Sequence, residues 1–310
     1  MSVRKPVIMD CDPGHDDAIA LVMAFASDAL DVKLVTTLAG NQTPDKTLNN
    51  ALRVLSFIGA EVEVAQGARK PLVRDLIIAP EVHGESGLEG TYIPESTLCK
   101  SERSAVDAMA DVIKKSEDKI TLIPTGPLTN IASLLLAHPE AKENIERISL
   151  MGGSCIGGNW TPAAEFNILV DPEAASIVFG SKVPITMCGL DVTHKALIYD
   201  EEIEKMHKLG GKVSKMVAEL LDFFALFHKK QGFKGSPLHD PCAVAYVIDP
   251  TIITTKKCHV DIETRGEFTT GATVADLNDV LKLEKNVDVA LDIDRERFIN
   301  LLFNSVKHYK

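Results

Sequence analysis

Four aspartates stand within eight positions near the N-terminus, in the stretch PVIMDCDPGHDDAIALVMAFA that runs from Pro6 to Ala26. They are Asp10, Asp12, Asp16 and Asp17, and they separate an apolar run from a second apolar run of helical character. A single aspartate at a helix start satisfies free backbone N–H groups, and this interpretation stays open for Asp16 or Asp17. Four packed carboxylates, however, repel one another unless a cation neutralises them. The stretch therefore predicts a site for a hard cation with oxygen ligands.

The acidic stretch is not an EF-hand loop. Counted from Asp10, position 5 is Gly14, position 6 is His15 and position 12 is Leu21, where that loop needs an oxygen ligand, Gly and Glu. The remaining ligands must come from other loops. Asp240 in GSPLHDPCAVAY is a candidate, because it lies between a Gly/Pro-rich loop and an apolar helix; a helix cap is the alternative.

Short apolar runs that predict strands alternate with helical patterns along most of the chain. The predicted strands are VIM, VKLVTTL, VEVA, ITLI, ISLM and PITMCGL, with two more near Val260 and Val287. The predicted helices are Asp17 to Ser27, Pro44 to Gly59, Ala105 to Lys115, Leu128 to Ala137, one from Pro172, Val213 to Lys229 and one from Arg295. This rhythm predicts an α/β fold with a mostly parallel central sheet flanked by helices. No linker or repeat interrupts it, which favours a single domain over residues 1–310.

Polar loops follow five of the predicted strands at their carboxyl ends. They are DCDPGHDD, AGNQ, PTGPLTN, MGGSCIGGNWTPAAEFN and GLDVTH. In parallel sheets of this type, ligands bind beyond the carboxyl ends of the strands, so the five loops are expected to form one site. The stretch from Gly67 to Lys100 has no clear periodicity, and irregular segments of that length are often functional.

The composition excludes several classes of partner. The 310 residues carry a net charge of -11, which argues against nucleic acid and against an anionic membrane surface. The Met-Ser-Val-Arg start lacks the apolar core of a signal peptide. Six scattered cysteines show no C-x-x-C spacing, so we expect reduced thiols and a cytoplasmic protein.

Several motifs together resemble the nucleoside hydrolase family, the inosine-uridine preferring nucleoside hydrolases. They are DCDPGHDDAIAL, AGNQT, HGESGL, TGPLTNIA, MGG, GNWTPAAEFNI, VDPEAA and PLHDP. The overall pattern is most similar to the pyrimidine-preferring ribonucleoside hydrolases of bacteria. The resemblance implies an open, Rossmann-like architecture and an enzyme that uses water to cleave the N-glycosidic bond of a ribonucleoside. The products are ribose and a free base, in nucleoside salvage.

The resemblance also implies a metal site and a general base. One Ca²⁺ per chain is expected on Asp12, Asp17, Asp240 and the backbone carbonyl of Thr125, with the ribose 2′- and 3′-hydroxyls and one water completing its shell. Asp12 would serve as general base toward that water, and Asp10 would support the site. The reaction is expected to pass through an oxocarbenium-like ribosyl cation.

Further positions matched to the family would bind the ribose. They are Asp16, Asn41, Met151, Asn159, Glu165 and Asn167. Carboxylates and amides hold sugar hydroxyls in paired hydrogen bonds, and negative charge favours a developing cation. Because Glu165 and Asn167 are two residues apart, an extended AEFNIL segment would aim both at one side.

The base side is expected to involve two histidines, His83 and His239, since either can donate a proton or a hydrogen bond to a base. The identity of the leaving-group acid stays open between them. Within FFALFHKKQGFKG, where some relatives use tyrosine or glutamine side chains, Phe227 and Gln231 take the corresponding places.

We expect uridine and cytidine to be preferred over inosine and adenosine. The first reason is the resemblance. The second is that a pyrimidine lacks N7, so charge collects on its O2 and ring, where two histidines can donate to it. One Trp and four Tyr also suggest few rings for stacking a purine, although Trp160 and Phe166 flank the ribose motif. A broad-specificity or purine-preferring hydrolase is the alternative.

Proteins of three other classes share some of these features. A calcium-dependent nucleoside-binding protein without turnover stays open, although Asp12 and His239 favour turnover. A haloacid-dehalogenase-like phosphatase would need Thr or Val where DCDPGHDD has Pro and Gly. A Rossmann dehydrogenase would need G-x-G-x-x-G in the first turn. By analogy with related enzymes, we expect a homo-oligomer, either a dimer or a tetramer.

Overall fold

The computed structural model describes residues 4–309. Residues 1–3 and residue 310 lie outside it, so the start of the chain and both limits of the predicted 1–310 domain fall outside the described residues. The strands are β1 Lys5–Cys11, β2 Leu30–Thr37, β3 Val64–Gln66, β4 Ile120–Pro124, β5 Ile145–Met151, β6 Ile185–Cys188, β7 Leu197–Ile198, β8 Ser236–Pro237, β9 Ile253–Ile262, β10 Thr273–Asp276 and β11 Val287–Ile293. The helices are α1 His15–Ala26, α2 Pro44–Ile58, α3 Pro80–His83, α4 Ala105–Lys115, α5 Thr129–Ala137, α6 Phe166–Val170, α7 Pro172–Phe179, α8 Leu190–Thr193, α9 Asp200–Lys208, α10 Lys212–Lys230, α11 Asp240–Ile248 and α12 Arg295–Lys307.

Nine of the strands form one sheet in the order β10-β9-β11-β6-β5-β4-β1-β2-β3. Seven neighbouring strands, from β11 to β3, run parallel, while β9 pairs antiparallel with β11 and with β10. β7 and β8 form a separate two-stranded antiparallel sheet. The predicted α/β fold with a mostly parallel central sheet is confirmed.

The sheet is buried on both faces because side chains alternate along each strand. In β1, Val7 and Met9 join one apolar cluster with α1, α10, α11 and α12, whereas Ile8 joins the opposite cluster with α4, α5 and α7. All three side chains are fully buried, and burial of each contributes about 1.5–3 kcal/mol relative to exposure. This core holds the first strand rigidly and so fixes the position of the acidic loop that follows it.

Most predicted elements agree with the structure, and two boundaries need correction. The helix predicted from Asp17 begins at His15, which puts Asp16 and Asp17 in its first turn. The strand predicted for VEVA lies two residues later, at Val64–Gln66. The helix from Pro44 ends as predicted before Gly59, whose φ of 75° is the left-handed conformation that suits glycine.

Four short or charged helices were not predicted from the sequence, among them α6 at Phe166–Val170. α3 is a single turn inside the irregular stretch from Gly67 to Lys100, α8 is four residues long, and α9 is rich in charge. Short helices carry too few residues for a periodic pattern to emerge. Within the described residues, no helix has the length and apolar character needed to cross a membrane.

Candidate active site

The carboxyl ends of the central strands border a cavity of ≈ 580 Å³. β1 and β4 are neighbours in the sheet, but the chain continues from β1 toward β2 on one side and from β4 toward β5 on the other. Such a reversal of strand order opens a crevice at the carboxyl edge, which is where α/β sheets bind ligands. The volume lies in the usual range for small-molecule sites.

Twelve of the fifteen predicted site residues line this cavity. They are Asp16, Asn41, His83, Thr125, Met151, Asn159, Glu165, Asn167, Phe227, Gln231, His239 and Asp240. The other three, Asp10, Asp12 and Asp17, do not line it and are fully buried. The structure therefore brings polar residues from most of the strand-end loops and from the helical region after β6 to one place.

Three carboxylates form a compact group at the cavity floor. Within the described residues, oxygens of Asp16, Asp17 and Asp240 lie within 4.8 Å of one another. Asp16 and Asp17 belong to the first turn of α1, and Asp240 is the first residue of α11. Both helix N-termini therefore direct partial positive charge toward the group, which stabilises negative charge there.

Asp17 is held by three hydrogen bonds from separate parts of the chain. The Gly14 backbone N–H and the Asn41 side-chain amide each donate to Oδ2 at 3.0 Å, and the Thr125 hydroxyl donates to Oδ1 at 2.7 Å. The bond from Gly14 means that Asp17 also satisfies a backbone group at the start of α1. The structural and functional interpretations of this residue are therefore compatible.

Asp12 lies beside the compact group without being a member of it. Its Oδ2 accepts a hydrogen bond of 2.6 Å from the Asn41 backbone N–H, whereas its buried Oδ1 has no partner within the described chain. A Cβ atom at Gly40 or Gly126 would lie 2.0 or 2.3 Å from an Asp12 oxygen, so glycine is required on both sides. The sequence-based assignments of Asp12 to the metal and of Asp16 to the ribose stay predictions; in the structure Asp16 is a member of the compact group.

Asp10 is positioned by the sheet itself. It pairs in register with Thr36 of β2, whose hydroxyl donates to its Oδ1 at 2.6 Å, and the Asn130 side chain donates to the same oxygen at 2.8 Å. Burial raises the pKa of Asp10 to about 7. Asp10 does not line the cavity.

The electrostatics of the floor fit a bound cation. Burial, followed by the charges of neighbouring aspartates, raises the pKa of Asp12 and Asp240, and burial raises that of Asp16 to about 7. Among the described residues, no lysine or arginine lines the cavity. Carboxylates, the free Asp12 Oδ1 and the Thr125 carbonyl make an all-oxygen donor set, which suits a hard divalent cation rather than zinc. The acidic cluster can therefore hold a metal.

The predicted ribose residues surround this floor. The Asn167 side chain donates to the Thr125 carbonyl at 2.8 Å and to the Met151 carbonyl at 3.3 Å. The Glu165 carboxylate accepts backbone N–H groups of Asn167 and Gly153, and burial raises its pKa to about 7. Because Glu165 caps the short helix α6, the expectation of an extended segment here is wrong, although both side chains do line the cavity.

Aromatic rings also line the cavity. Phe224, Phe227 and Phe233 come from α10 and the turn after it, and Trp160 packs on Phe166 with ring centroids 4.8 Å apart. The expectation of few rings to stack on a base is therefore wrong. The counts of Trp and Tyr leave out phenylalanine, and four of the eleven phenylalanines line the cavity.

His83, at the end of α3, lines the cavity and contacts a second histidine, His15. The Nδ1 atoms of His83 and His15 are 3.2 Å apart, and the His15 backbone N–H also approaches His83 Nδ1 at 3.3 Å. His15 Nε2 donates to the Glu89 carbonyl at 2.8 Å, which fixes the proton of that ring on Nε2. Burial lowers the pKa of His83 and His15, to about 4 for His15, so both rings are neutral near pH 7.

Four lining residues of the base end were not assigned from the sequence: His194, His228, Phe224 and Phe233. Phe224, Phe227 and His228 of α10, with Gln231 as its C-cap, stand at positions i, i+3, i+4 and i+7, which is the spacing of one helix face. That periodicity was the available signal. Nothing in the sequence indicated that this face closes the cavity.

Comparisons with known proteins indicate the same family along nearly the whole chain. The family model described as inosine-uridine preferring nucleoside hydrolase matches residues 7–300. The pyrimidine-specific ribonucleoside hydrolase RihA of Shewanella woodyi is 54% identical over 310 residues, covering 99% of each chain. The protein of that name from Escherichia coli O1:K1 / APEC is 52% identical over 307 residues, or 98% of this chain and 99% of that one. The solved structure of a purine-preferring ribonucleoside hydrolase from Gardnerella vaginalis has a TM-score of 0.93 at 34% identity, covering 98% of this chain and 99% of that one.

The chain belongs to the inosine-uridine preferring nucleoside hydrolase family. It is an enzyme of the glycosidase type that hydrolyses the N-glycosidic bond of nucleosides. The family resemblance and the enzyme class predicted from the sequence are confirmed.

Proposed function

We propose that this enzyme prefers pyrimidine ribonucleosides, that it works with one Ca²⁺ at the floor of its cavity, and that residues 1–310 form a single catalytic domain. The observation that carries the proposal is the set of groups that share one cavity. A carboxylate group that suits a cation and sugar hydroxyls adjoins it, and histidines and aromatic rings line the same cavity.

Asp12 is the proposed general base. Its buried Oδ1 has no hydrogen-bond partner in the described chain, while Oδ2 accepts the Asn41 backbone N–H, so one oxygen is unpaired and the other is fixed in place. When bound, Ca²⁺ supplies Lewis acidity toward water and coordination positions for hydroxyl oxygens. Asp12 then takes a proton from the attacking water as the water oxygen bonds to C1′ of the sugar.

The ribose is proposed to lie across the carboxylate and amide groups. Asp16, Asn41 and Asn167 line the cavity near the floor, and Asn159 and Glu165 extend the polar wall. Negative charge along this wall favours the positive charge that develops on the sugar as the C1′–N bond breaks. The Met151 carbonyl, which accepts from Asn167, belongs to the same wall.

The base is proposed to leave between His83 and His239, against the ring wall formed with Phe227. The electron pair of the C1′–N bond departs with the base, and on a pyrimidine the charge collects on O2 and the ring. Histidine N–H groups stabilise such charge. The relatives named as pyrimidine-specific at 52–54% identity support this preference. Gln231 lies on the same helix face and is proposed to contact the base edge.

The metal proposal predicts one Ca²⁺ per chain in protein purified without chelator. Elemental analysis would count the ion, and removal with a chelator should abolish turnover. Because a ligand that binds only the folded state stabilises it, returning Ca²⁺ should raise the Tm of the stripped protein. Asp240→Asn is the matched variant, and its Tm should respond much less to Ca²⁺. A stripped protein with full activity would contradict the proposal.

A panel of ribonucleosides, assayed for ribose release, tests the base preference. We expect higher kcat/KM for uridine and cytidine than for inosine and adenosine. His83→Ala should reduce kcat/KM for uridine more than for inosine. His207→Ala is the control, because His207 is exposed and pairs with Asp222 on the surface. Inosine cleaved at least as efficiently as uridine would overturn the preference but not the enzyme class.

A purine-preferring or broad enzyme is the second candidate function, and one feature favours it. The aromatic wall described above offers faces on which a purine can stack. The same panel separates the two, because a stacking-driven enzyme would rank inosine first. A protein that binds nucleosides without releasing ribose from any of them would favour the calcium-dependent binding alternative.

The enzyme is also proposed to be cytoplasmic and to form a homo-oligomer. Six free cysteines, four of them buried, support a reducing compartment such as the cytoplasm. Assembly into a dimer or tetramer is supported by exposed apolar side chains, five of which fall within residues 268–283, namely Phe268, Val274, Val280, Leu281 and Leu283. The net charge of -11 supports a small-molecule substrate and argues against nucleic acid or a membrane surface.

A further inference from the structure

The hydroxyl of Thr193 approaches the ring of His239 at the base end of the cavity. Thr193 is the last residue of α8, directly after β6, and its side chain is fully buried. Its Oγ1 lies 2.8 Å from Nδ1 of His239, the residue that caps α11 and lines the cavity. Two elements that are distant in sequence are therefore joined through this single side-chain contact.

The direction of this hydrogen bond follows because the buried O–H of Thr193 requires an acceptor. Within the described chain, His239 Nδ1 is the one hydrogen-bond partner of Thr193 Oγ1. If Nδ1 carried the proton and donated it, the hydroxyl hydrogen would have no acceptor among the described residues. If the hydroxyl donates to a bare Nδ1, both groups are satisfied.

The tautomer of the histidine then follows. A neutral imidazole carries one proton, so a bare Nδ1 puts that proton on Nε2. Nε2 makes no hydrogen bond with any described residue. It is not completely buried, so it is accessible from the cavity. The neutral ring therefore presents an N–H donor where the base is proposed to leave.

We propose that Thr193 is a positioning residue that holds His239 in its Nε2–H tautomer, so that the neutral ring donates a hydrogen bond to the departing base. This inference rests on the proposed function and assigns the donor role to His239. No proton leaves the ring in this step. The N–H stabilises the negative charge that reaches the base with the electron pair of the C1′–N bond.

The closest test compares Thr193→Val with Thr193→Ser. Valine keeps the shape of threonine and removes the hydroxyl, whereas serine keeps the donor. We expect Thr193→Val to lower kcat on uridine roughly ten-fold with little change in KM, the scale of one lost hydrogen bond. Thr193→Ser should restore most of the loss.

A second substrate separates positioning from a general structural defect. The phenolate of 4-nitrophenyl β-D-ribofuranoside is stable enough to leave without a hydrogen-bond donor. Thr193→Val should therefore retain near wild-type kcat on this riboside while losing activity on uridine. Equal losses on both substrates would overturn the proposal, because a distorted site would affect both alike.

The tautomer is also measurable without any turnover. Nitrogen-15 NMR of histidine-labelled wild-type enzyme, with His239 assigned by difference from His239→Asn, should show a bare Nδ1 and a protonated Nε2. A protonated Nδ1 in the wild type would overturn the inference even if the kinetics agreed. If the wild type hydrolysed no ribonucleoside, the proposed function would fail, whereas this readout would still judge the tautomer by itself.

Discussion

Replacing Asp12 by asparagine is expected to lower kcat on uridine by at least about 10³, the combined scale of a lost general base and lost electrostatic stabilisation. The change preserves the volume of the side chain and removes its charge. Asp12 is fully buried between Gly40 and Gly126. Steady-state kinetics of ribose release measures the loss.

Thermal unfolding shows whether the Asp12 variant is intact. Burial and the charge of Asp17 raise the pKa of Asp12, so its ionised form is costly when no cation is bound. Removing that charge should leave the Tm of metal-free protein unchanged or higher. Residues that are needed for activity are often unfavourable for stability. Asp28→Asn is the control for the effect of an Asp-to-Asn change, because the Asp28 side chain is 93% exposed and does not line the cavity. An Asp12→Asn enzyme within ten-fold of wild-type kcat would remove Asp12 from its proposed role.

Uridine is expected to exceed 2′-deoxyuridine in kcat/KM by roughly 10² or more. A site built to hold a hydroxyl rejects an analogue that lacks it, because its own polar groups are then left unpaired. Here those groups are buried: Asp16, Asn41 and Asn167 are each less than a tenth exposed. Initial rates of sugar release from the two nucleosides give the ratio.

The intrinsic chemistry runs in the opposite direction, which sharpens this test. The deoxy sugar forms an oxocarbenium ion more readily, because it lacks an electron-withdrawing oxygen beside C1′. A slower enzymatic reaction must therefore come from lost contacts with the protein or its cation. 3′-Deoxyuridine is the matched compound, and it should suffer a comparable loss. Similar turnover of uridine and deoxyuridine would contradict the proposed arrangement of the sugar.

The sequence was sufficient for the architecture and for most of the cavity. Alternating apolar runs and helical patterns specify a covered parallel sheet, because each strand buries both faces. The strand-end rule then brings Asn41, Thr125 and Met151 to one edge, since parallel strands all end on the same side. Both features depend only on local sequence patterns and on one geometric property of parallel sheets, so long-range contacts are not needed to predict them.

The sequence did not specify how the neighbouring aspartates are arranged relative to one another. Asp12, Asp16 and Asp17 lie within six positions, and their side-chain directions depend on where α1 begins. The structure starts that helix at His15, which places Asp16 in the compact group with Asp17 and Asp240 and leaves Asp12 beside it. Backbone conformation at a strand-to-helix turn is set by tertiary contacts, so residue spacing does not determine it.

By itself, the sequence determined the sheet, the family and the acidic floor of the cavity. Only the tertiary structure decided the base end, where one face of α10 meets His83, His194 and His239. It also decided the contact between Thr193 and His239, which are 46 residues apart. The physical reason is that strand order and residue periodicity are local properties, whereas the packing of a helix over a cavity depends on long-range contacts that no short motif records.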